Sequence, residues 1–410
     1  MPTTTLTTTC CVAGSGPAGM MLGILLARAG VDTIVLEKHL DFFRDFRGDT
    51  IHPSTIDLLD QLGLREKFDA IPQSAIHTLD IMVNGNRLTP VDFSHLPGRN
   101  RSIALMPQWD FLSLLAEEGA KYTTFHLMMG SEATGLLRSG TRVTGVTATT
   151  AEGQAQIEAK LTVAADGRDS TLRDAAGLVP KDYGVAIDVL WFRLPRTKVN
   201  PPDTLAYLDS ESMIITIPRA DYYQAGMLIP KGDYAQIERD GLDDFRARIV
   251  RAAPFLSEVV ASLTEWEQIK LLTVQVDRLV QWYQDGLLCI GDAAHAMSPA
   301  FGLGINYAIQ DAVASANLLV DPLRSGSVSV ADLARVQNRR LKPVARMQPI
   351  QLRLHKVIAK PGGGAFLADP MRWWQRAIAA VALPVVRRIT ARMVGRGFRP
   401  ERIESQLDPR

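Results

Sequence analysis

The chain has 410 residues, 46% of them hydrophobic and 22% charged, with a formal net charge of +1. That is the profile of a folded globular protein too long for one hydrophobic core, so two closely joined domains are expected and a largely disordered chain is excluded. Three cysteines, Cys10, Cys11 and Cys289, supply neither a disulfide framework nor a C-x-x-C metal site, and the N-terminus shows no basic and then apolar leader, so no metal and a cytoplasmic location are expected.

Apart from the Thr-rich start, Thr3 to Thr8, the first element is a short apolar run, Thr9 to Ala13, suited to a buried parallel strand. Gly14-Ser15-Gly16-Pro17-Ala18-Gly19 follows, and a helix is predicted from Pro17 to Ala29 with Gly30 as its stop. Gly14 allows the tight turn, Gly16 lets the backbone approach a pyrophosphate on the helix N-terminus, and Gly19 allows close helix-to-strand packing. The second strand, Thr33 to Leu36, ends in Glu37 and Lys38, and Glu37 stands eighteen residues after Gly19, where a carboxylate would accept hydrogen bonds from a ribose. A dinucleotide site is therefore expected at this turn.

Arg47 precedes a predicted helix from Ser54 to Leu62, and Leu79 to Val83, Asn84-Gly85 and Arg87 to Val91 read as a hairpin. Gln108 heads another helix through Phe111, Leu112, Leu114 and Leu115. Leu161 to Ala165 and Leu287 to Ile290 are again buried-strand runs, ending in Asp166-Gly167 and Gly291-Asp292, which puts each aspartate at the carboxyl end of a parallel sheet, where ligands bind. The alternative for both aspartates is a cap on the helix that follows. Further strands are predicted at Ala186 to Leu194, Met213 to Ile217, Tyr222 to Ile229 and Leu271 to Arg278, with Trp191, Phe192, Tyr207, Tyr222 and Tyr223 as candidate pocket aromatics. Past Pro299 and Gly302-Leu303-Gly304 a helix is expected from Ile305-Asn306, its N-terminus carrying roughly half a positive charge.

The three glycine-and-aspartate motifs, in this order, make residues 9 to 320 resemble the class A FAD-dependent aromatic monooxygenases, whose type member is para-hydroxybenzoate hydroxylase. Ser170 and Arg173 match the longer middle motif. The resemblance implies a Rossmann-type α/β FAD-binding domain with an inserted mixed β-sheet substrate domain. On this reading residues 1–75, 105–185 and 286–330 bind FAD, 76–104 and 186–285 form the substrate domain, and 331–410 form a C-terminal helical region. It further implies that Asp292 holds the ribityl chain with Gln108, that Asp166 and Arg47 lie near the pyrophosphate, that the backbone of Gly304, Ile305 and Asn306 faces the flavin pyrimidine ring, and that Pro299 sits beside the reacting edge. Phe301 departs from the family's usual small residue.

The implied reaction is hydroxylation of an aromatic small molecule with O2 and NADPH or NADH, through a flavin C4a-hydroperoxide. The nicotinamide would bind transiently, because no second strand-linked G-x-G-x-x-G occurs. His52 and Tyr223 are the candidate bases for a phenolic substrate. A dehydrogenase or reductase of a lipid-like substrate is the alternative; the W-x-W-x-I-P string of the related halogenases is absent. A monomer or homodimer without nucleic acid is expected. The segment 331–410 carries 17 Lys and Arg against 5 Asp and Glu, whereas residues 1–330 carry 28 against 39. Its stretch Arg372 to Arg388, with Trp373, Trp374 and the apolar run Ala377 to Val386, is too short to span a bilayer and is broken by Pro384. Docking of this tail on the acidic body is expected, in preference to contact with a membrane surface.

Overall fold

The computed structural model describes residues 4–43, 50–83, 86–197, 206–209, 212–219, 221–358 and 373–407, with side chains except at 86, 357–358 and 373–383. Its first sheet runs, strand beside strand, Tyr283–Gln284, Leu287–Cys289, Gly153–Ala164, Thr4–Ala13, Thr33–Leu36 and Phe125–Met128. The last five are parallel, and the register places Ala13 opposite both Ala164 and Leu36, and Ala164 opposite Cys289. Four strands thus end level, which carries Gly14, Glu37, Asp166 and Gly291 to one edge. The Thr-rich start is not loose chain. It extends the first strand back to Thr4, because its backbone pairs with Ala155 to Ala159 and Thr8 Oγ1 donates to Asp32 O at 2.9 Å.

Pro17–Arg28 forms the expected helix, with Ala18 to Ala27 buried against the sheet. Gly304–Ser325 is the second long buried helix. Gly291 sits between the two, since a Cβ there would lie 3.2 Å from Ala308 Cβ and 3.3 Å from Ala18 Cβ. The late motif is in this way clasped to the first one.

The second sheet has the order Lys270–Leu272, Ile187–Pro195, Tyr222–Pro230, Met213–Pro218, Ala206–Leu208, Thr78–Val83 and Asn86–Asp92, antiparallel except where Ala206–Leu208 meets Thr78–Val83. The turn Asn84-Gly85 lies outside the described residues. The expected strand from Leu271 to Arg278 is instead two short ones, Lys270–Leu272 and Asp277–Leu279. Two helices that periodicity left unread, Tyr234–Asp240 and Leu242–Ala252, cover one face of this sheet with Ile237, Phe245 and Ile249.

Side-chain alternation decides which aromatics meet those helices. Leu190, Phe192, Leu194, Tyr207, Tyr223, Ala225 and Met227 pack with Phe245 and Leu256, whereas Val189, Trp191 and Ile217 belong to the core shared with the first sheet. Tyr223 therefore faces the helices. So do Phe192 and Tyr207.

Beyond residue 326 the described residues include two long helices, Val330–Ile358 and Trp373–Arg396. Pro384 does not end the second; it stands inside it. This tail helix docks on the strand Asn86–Asp92: Arg387 Nε donates to Thr89 O at 2.7 Å, Thr390 Oγ1 donates to Pro90 O at 2.6 Å, and Ala391 and Val394 are buried. Its apolar residues are not all core, however, for Val385, Val386 and Ile389 are 58%, 44% and 63% exposed. Among the described residues no helix is long and apolar enough to cross a membrane.

Candidate functional site

The level strand ends open onto a groove of about 190 Å³, lined among others by Gly14, Gly16, Glu37, Lys38, Gln108 and Asp166. That is more than ten times the space one water needs, roughly 10–15 Å³ by the same measure. Gly14 has φ +100°, and a Cβ there would lie 2.4 Å from Ala165 O; a Cβ on Gly19 would lie 1.9 Å from Gly14 O. Both glycines are obligatory for the turn. A Cβ on Gly16 would meet nothing within 4 Å, and the same holds for Gly304 at the start of the second buried helix. These are two helix N-termini whose backbone faces open space, the cradle that a pyrophosphate and an electron-rich ring require. The residues present fit FAD.

Glu37 is held in place at this mouth. Its Oε2 accepts from Ser15 Oγ at 2.6 Å and its Oε1 from His39 N at 3.1 Å, so the carboxylate stands beside the glycine turn where a ribose would lie. Pro17 fills the first helical position, where no N–H is needed, and Ala18 and Gly19 are buried behind it. Gln108 begins the helix Gln108–Gly119 and turns its first residue to the groove.

The two motif aspartates have different surroundings. Asp166 accepts from Ser170 Oγ at 2.5 Å and from Leu172 N at 3.2 Å, and Ser170 Oγ in turn accepts from Arg173 N at 3.0 Å. Its carboxylate thus builds the start of the helix Thr171–Ala175, which is the capping alternative, while its backbone lines the groove. Burial raises its pKa above the usual carboxylate range against the pull of those hydrogen bonds. Asp292 instead pairs with Arg168 Nε at 3.1 Å, and both side chains stay about one-third exposed. The middle and late motifs therefore meet through one partly exposed ion pair. No sequence spacing shows that pairing, since 124 residues separate the partners.

Pro299 opens a loop that is tied down from several directions. Thr50 Oγ1 donates to Gly302 O at 2.9 Å, and Asn306 Nδ2 donates to both Gly302 O and Thr50 O at 3.2 Å. Asn306 Oδ1 accepts from His52 N at 2.9 Å and from Thr55 Oγ1 at 2.7 Å. The Asn306 side chain is thereby spent on the protein, and only backbone from Gly304 to Asn306 is left for a ligand.

Neither candidate base reaches the cleft. His52 is fully buried, and its Nδ1 donates to Val394 O of the tail helix at 2.9 Å. Burial pulls its pKa down to about 4, against the opposing effect of the carbonyls of Val394, Phe301 and Gly302. Tyr223 is 1% exposed on the helix-covered face of the second sheet, near Phe255 and with Arg196 over its ring at 4.9 Å. A buried imidazole held neutral and a phenol walled in by aromatics are framework groups. Arg47, with Arg44, lies outside the described residues. Among the described residues no cluster of His, Cys, Asp or Glu could hold a metal.

Of the candidate pocket aromatics one points inward, and a buried charge cluster behind the late motif went unread. Trp191 faces the core shared with the first sheet, lies over Gly226 so closely that a Cβ there would touch its ring at 3.0 Å, and has a buried Nε1 with no hydrogen-bond partner. Counting odd and even positions along Ile187–Pro195 would have separated Trp191 from Phe192. His295 Nε2 donates to Asp311 Oδ2 at 2.5 Å, and Asp311 also accepts from Gly291 N at 3.2 Å and from Arg340 Nε at 2.8 Å. Burial alone would raise the pKa of Asp311, yet His295 and Arg340 outweigh it and hold the carboxyl below its usual range.

Comparison with known proteins agrees with this geometry. The family profile described as "FAD binding domain" matches residues 7–347. The 6-methylpretetramide 4-monooxygenase of Streptomyces rimosus is 30% identical over 413 residues, covering 97% of this chain and 94% of that protein. The anhydrotetracycline monooxygenase of Streptomyces rimosus is 30% identical over 323 residues, and the alignment takes in 74% of this chain but 60% of that longer protein. Among solved structures, the OxyS anhydrotetracycline hydroxylase from Streptomyces rimosus superposes with a TM-score of 0.74 at 22% identity, over 95% of this chain and 76% of that one. The p-nitrophenol 4-monooxygenase PnpA from Pseudomonas putida DLL-E4 does so with 0.75 at 18% identity, over 97% and 100%. At such identities the structures establish the fold, and the sequence relatives establish the family. A chain with the three-motif edge, the two open helix N-termini and these relatives belongs to the class A FAD-dependent aromatic monooxygenases.

Proposed function

We propose that this enzyme hydroxylates a planar, polycyclic, oxygen-bearing aromatic molecule, using NADPH or NADH and O2. The observation that carries the reading is the convergence of three turns on one sheet edge, with Gly16 and Gly304 presenting bare backbone to open space. Bound FAD supplies the redox and oxygen-transfer chemistry. The chain's own groups do the holding. Glu37 would accept ribose hydroxyls, Lys38 flanks that mouth, Gln108 and Asp292 would hold the ribityl chain, and Gly304 to Asn306 would face the pyrimidine ring with the positive end of their helix. Gly291 locks the two helices together, and Pro299 would border the reacting edge.

The substrate class is supported by the polycyclic compounds in the names of two relatives and by the core-facing side of the second sheet, where the Trp191 ring packs against Gly226. With His52 and Tyr223 out of reach, activation of a phenol would fall to groups at the cleft such as the Arg168–Asp292 pair, which is half open.

The purified protein should be yellow, and acid precipitation should release FAD to the supernatant. A panel of polycyclic phenols is then screened for stimulated NAD(P)H oxidation, and the product of the best one is made under ¹⁸O2. Label in the product is the expected result; unlabelled or merely dehydrogenated product would sink hydroxylation. Asp292→Ala should weaken FAD binding about five- to a hundredfold, because a buried ribityl hydroxyl left unpaired costs about 1–3 kcal/mol. Asp169→Ala, which removes a groove-lining carboxylate of the middle motif, is expected to do far less. Equal FAD dissociation constants for the two variants would remove Asp292 from the site.

A further inference from the structure

Phe301 has φ 64° and ψ 4°, and among the described residues it is the only non-glycine with positive φ. A side chain in the left-handed region costs about 1–2 kcal/mol and persists only where its surroundings over-determine it. On one side of the loop Thr50 and Asn306 hold Gly302 O. On the other stands the helix Val330–Ile358. Gln351 Nε2 donates to Ser298 O at 3.2 Å and to Ala300 O at 3.1 Å, so one amide spans the residues on both sides of Pro299. Ser298 Oγ accepts from Ala300 N at 3.0 Å and lies 2.6 Å from His355 Nε2.

Ala300 N–H donates to the hydroxyl oxygen, and Ser298 Oγ and His355 Nε2 share one further hydrogen bond. Burial keeps the ring of His355 neutral by pulling its pKa down to about 4. Its Nδ1 is buried without a partner. A Ser–His pair of this kind has no carboxylate behind it and no opening in front of it: Ser298, Gln351 and His355 are 1%, 0% and 1% exposed. It cannot serve as a nucleophile, so its geometry calls for a different use.

We infer that His355 and Gln351 are positioning residues that clamp the loop 298–302 and hold Phe301 in its strained conformation beside Pro299. Both lie beyond residue 347, where the match to the family profile ends, and on an element that contributes nothing to the groove. The inference rests on the proposed placement of Pro299 and Gly304 at the flavin. Without the clamp, Phe301 relaxes to negative φ, the loop swings, and the adjoining helix N-terminus at Gly304 is displaced from its ligand. The strain and the clamp are two halves of one arrangement, which makes them separable by substitution.

The test uses the FAD-loaded full chain and reads the FAD dissociation constant by flavin fluorescence, together with the fraction of NAD(P)H that ends as hydrogen peroxide. His355→Ala should weaken FAD binding about five- to thirtyfold, the release of 1–2 kcal/mol of held strain, and raise the peroxide fraction. His355→Gln, whose amide can accept from or donate to Ser298 Oγ, should recover most of both. In a Phe301→Gly background, where positive φ carries no penalty, His355→Ala should change FAD binding by less than about twofold. Gln351→Leu supplies the same comparison from the second half of the clamp should the alanine variant fold poorly. An equal effect of His355→Ala with Phe301 and with Gly at that position, or a glutamine variant no better than alanine, overturns the clamp. Because fluorescence needs bound FAD and no turnover, this outcome is read separately from the ¹⁸O experiment that tests hydroxylation.

Discussion

Replacing Glu401 with alanine should lower the stability of the folded chain by about 3–5 kcal/mol, the cost of breaking a buried ion pair by removing one partner. Glu401 is 3% exposed and accepts from Arg340 Nη1 at 3.2 Å and from Arg339 Nε at 2.9 Å. Arg340, 1% exposed, also donates from Nε to Asp311 Oδ1 at 2.8 Å and from Nη1 to Arg399 O at 3.0 Å. The network thus runs from the last residues of the chain through Arg340 to the carboxylate that holds Gly291 N and His295. Losing Glu401 leaves the buried Arg340 guanidinium with Asp311 and the Arg399 carbonyl as its acceptors and one charge fewer to balance it. Guanidinium unfolding followed by Trp fluorescence measures the change. Replacing Arg340 and Glu401 together by apolar residues of similar volume should cost less than the sum of the two single changes. A Glu401→Ala midpoint indistinguishable from the parent would show that the network is solvated and weak. A truncation after residue 368 deletes Glu401 together with the tail helix on which His52 leans, so it should destabilise the body.

Stability should also fall as pH drops from about 6.5 to about 4, by on the order of 3 kcal/mol from His52 alone. Its ordinary pKa of 6.5 is lowered to about 4 in the folded chain by burial. A histidine with a depressed folded pKa binds its proton more readily when unfolded, so acid favours the unfolded state across the interval between the two values. One pKa unit corresponds to about 1.36 kcal/mol, which sets the size. The loss is absent above pH 6.5 and complete below 4. His355 is shifted in the same direction and steepens the slope. Asp311 enters only at lower pH, because its pKa lies below the ordinary carboxylate value and its stabilisation is lost only as acid reaches that folded pKa. Denaturation midpoints measured between pH 7.5 and 4.5 should therefore decline for the parent and decline less for His52→Gln. Parallel curves for the two proteins would mean that His52 stays solvated in the folded chain.

The parts legible in the sequence were those encoded within a few residues. Gly14 and Gly19 declare their turn because only glycine survives at φ +100° or at 1.9 Å from a carbonyl, and the apolar runs before Asp166 and Gly291 are strands because nothing else buries so short a segment on both faces. Glu37 could be placed by counting, since a strand-turn-helix-strand unit has a fixed length.

Alternation along Ile187–Pro195 and Tyr222–Pro230 was equally present in the sequence, but not which face would be roofed by helices. Only the packing of Phe245 and Ile249 against Phe192 and Tyr223 decided that Trp191, and not Tyr223, faces the core shared with the FAD edge.

Long-range pairing was out of reach for the same physical reason. His52 with Val394, Arg168 with Asp292, Arg340 with Glu401 and Ser298 with His355 are contacts between groups 57 to 342 residues apart. A local pattern records what a residue is, while burial and charge partners depend on what the rest of the chain folds against it. The sequence by itself determined the cofactor edge, where backbone conformation is the requirement. Tertiary structure alone decided which ionisable groups are framework and which face the cleft, because desolvation is a property of the folded interior.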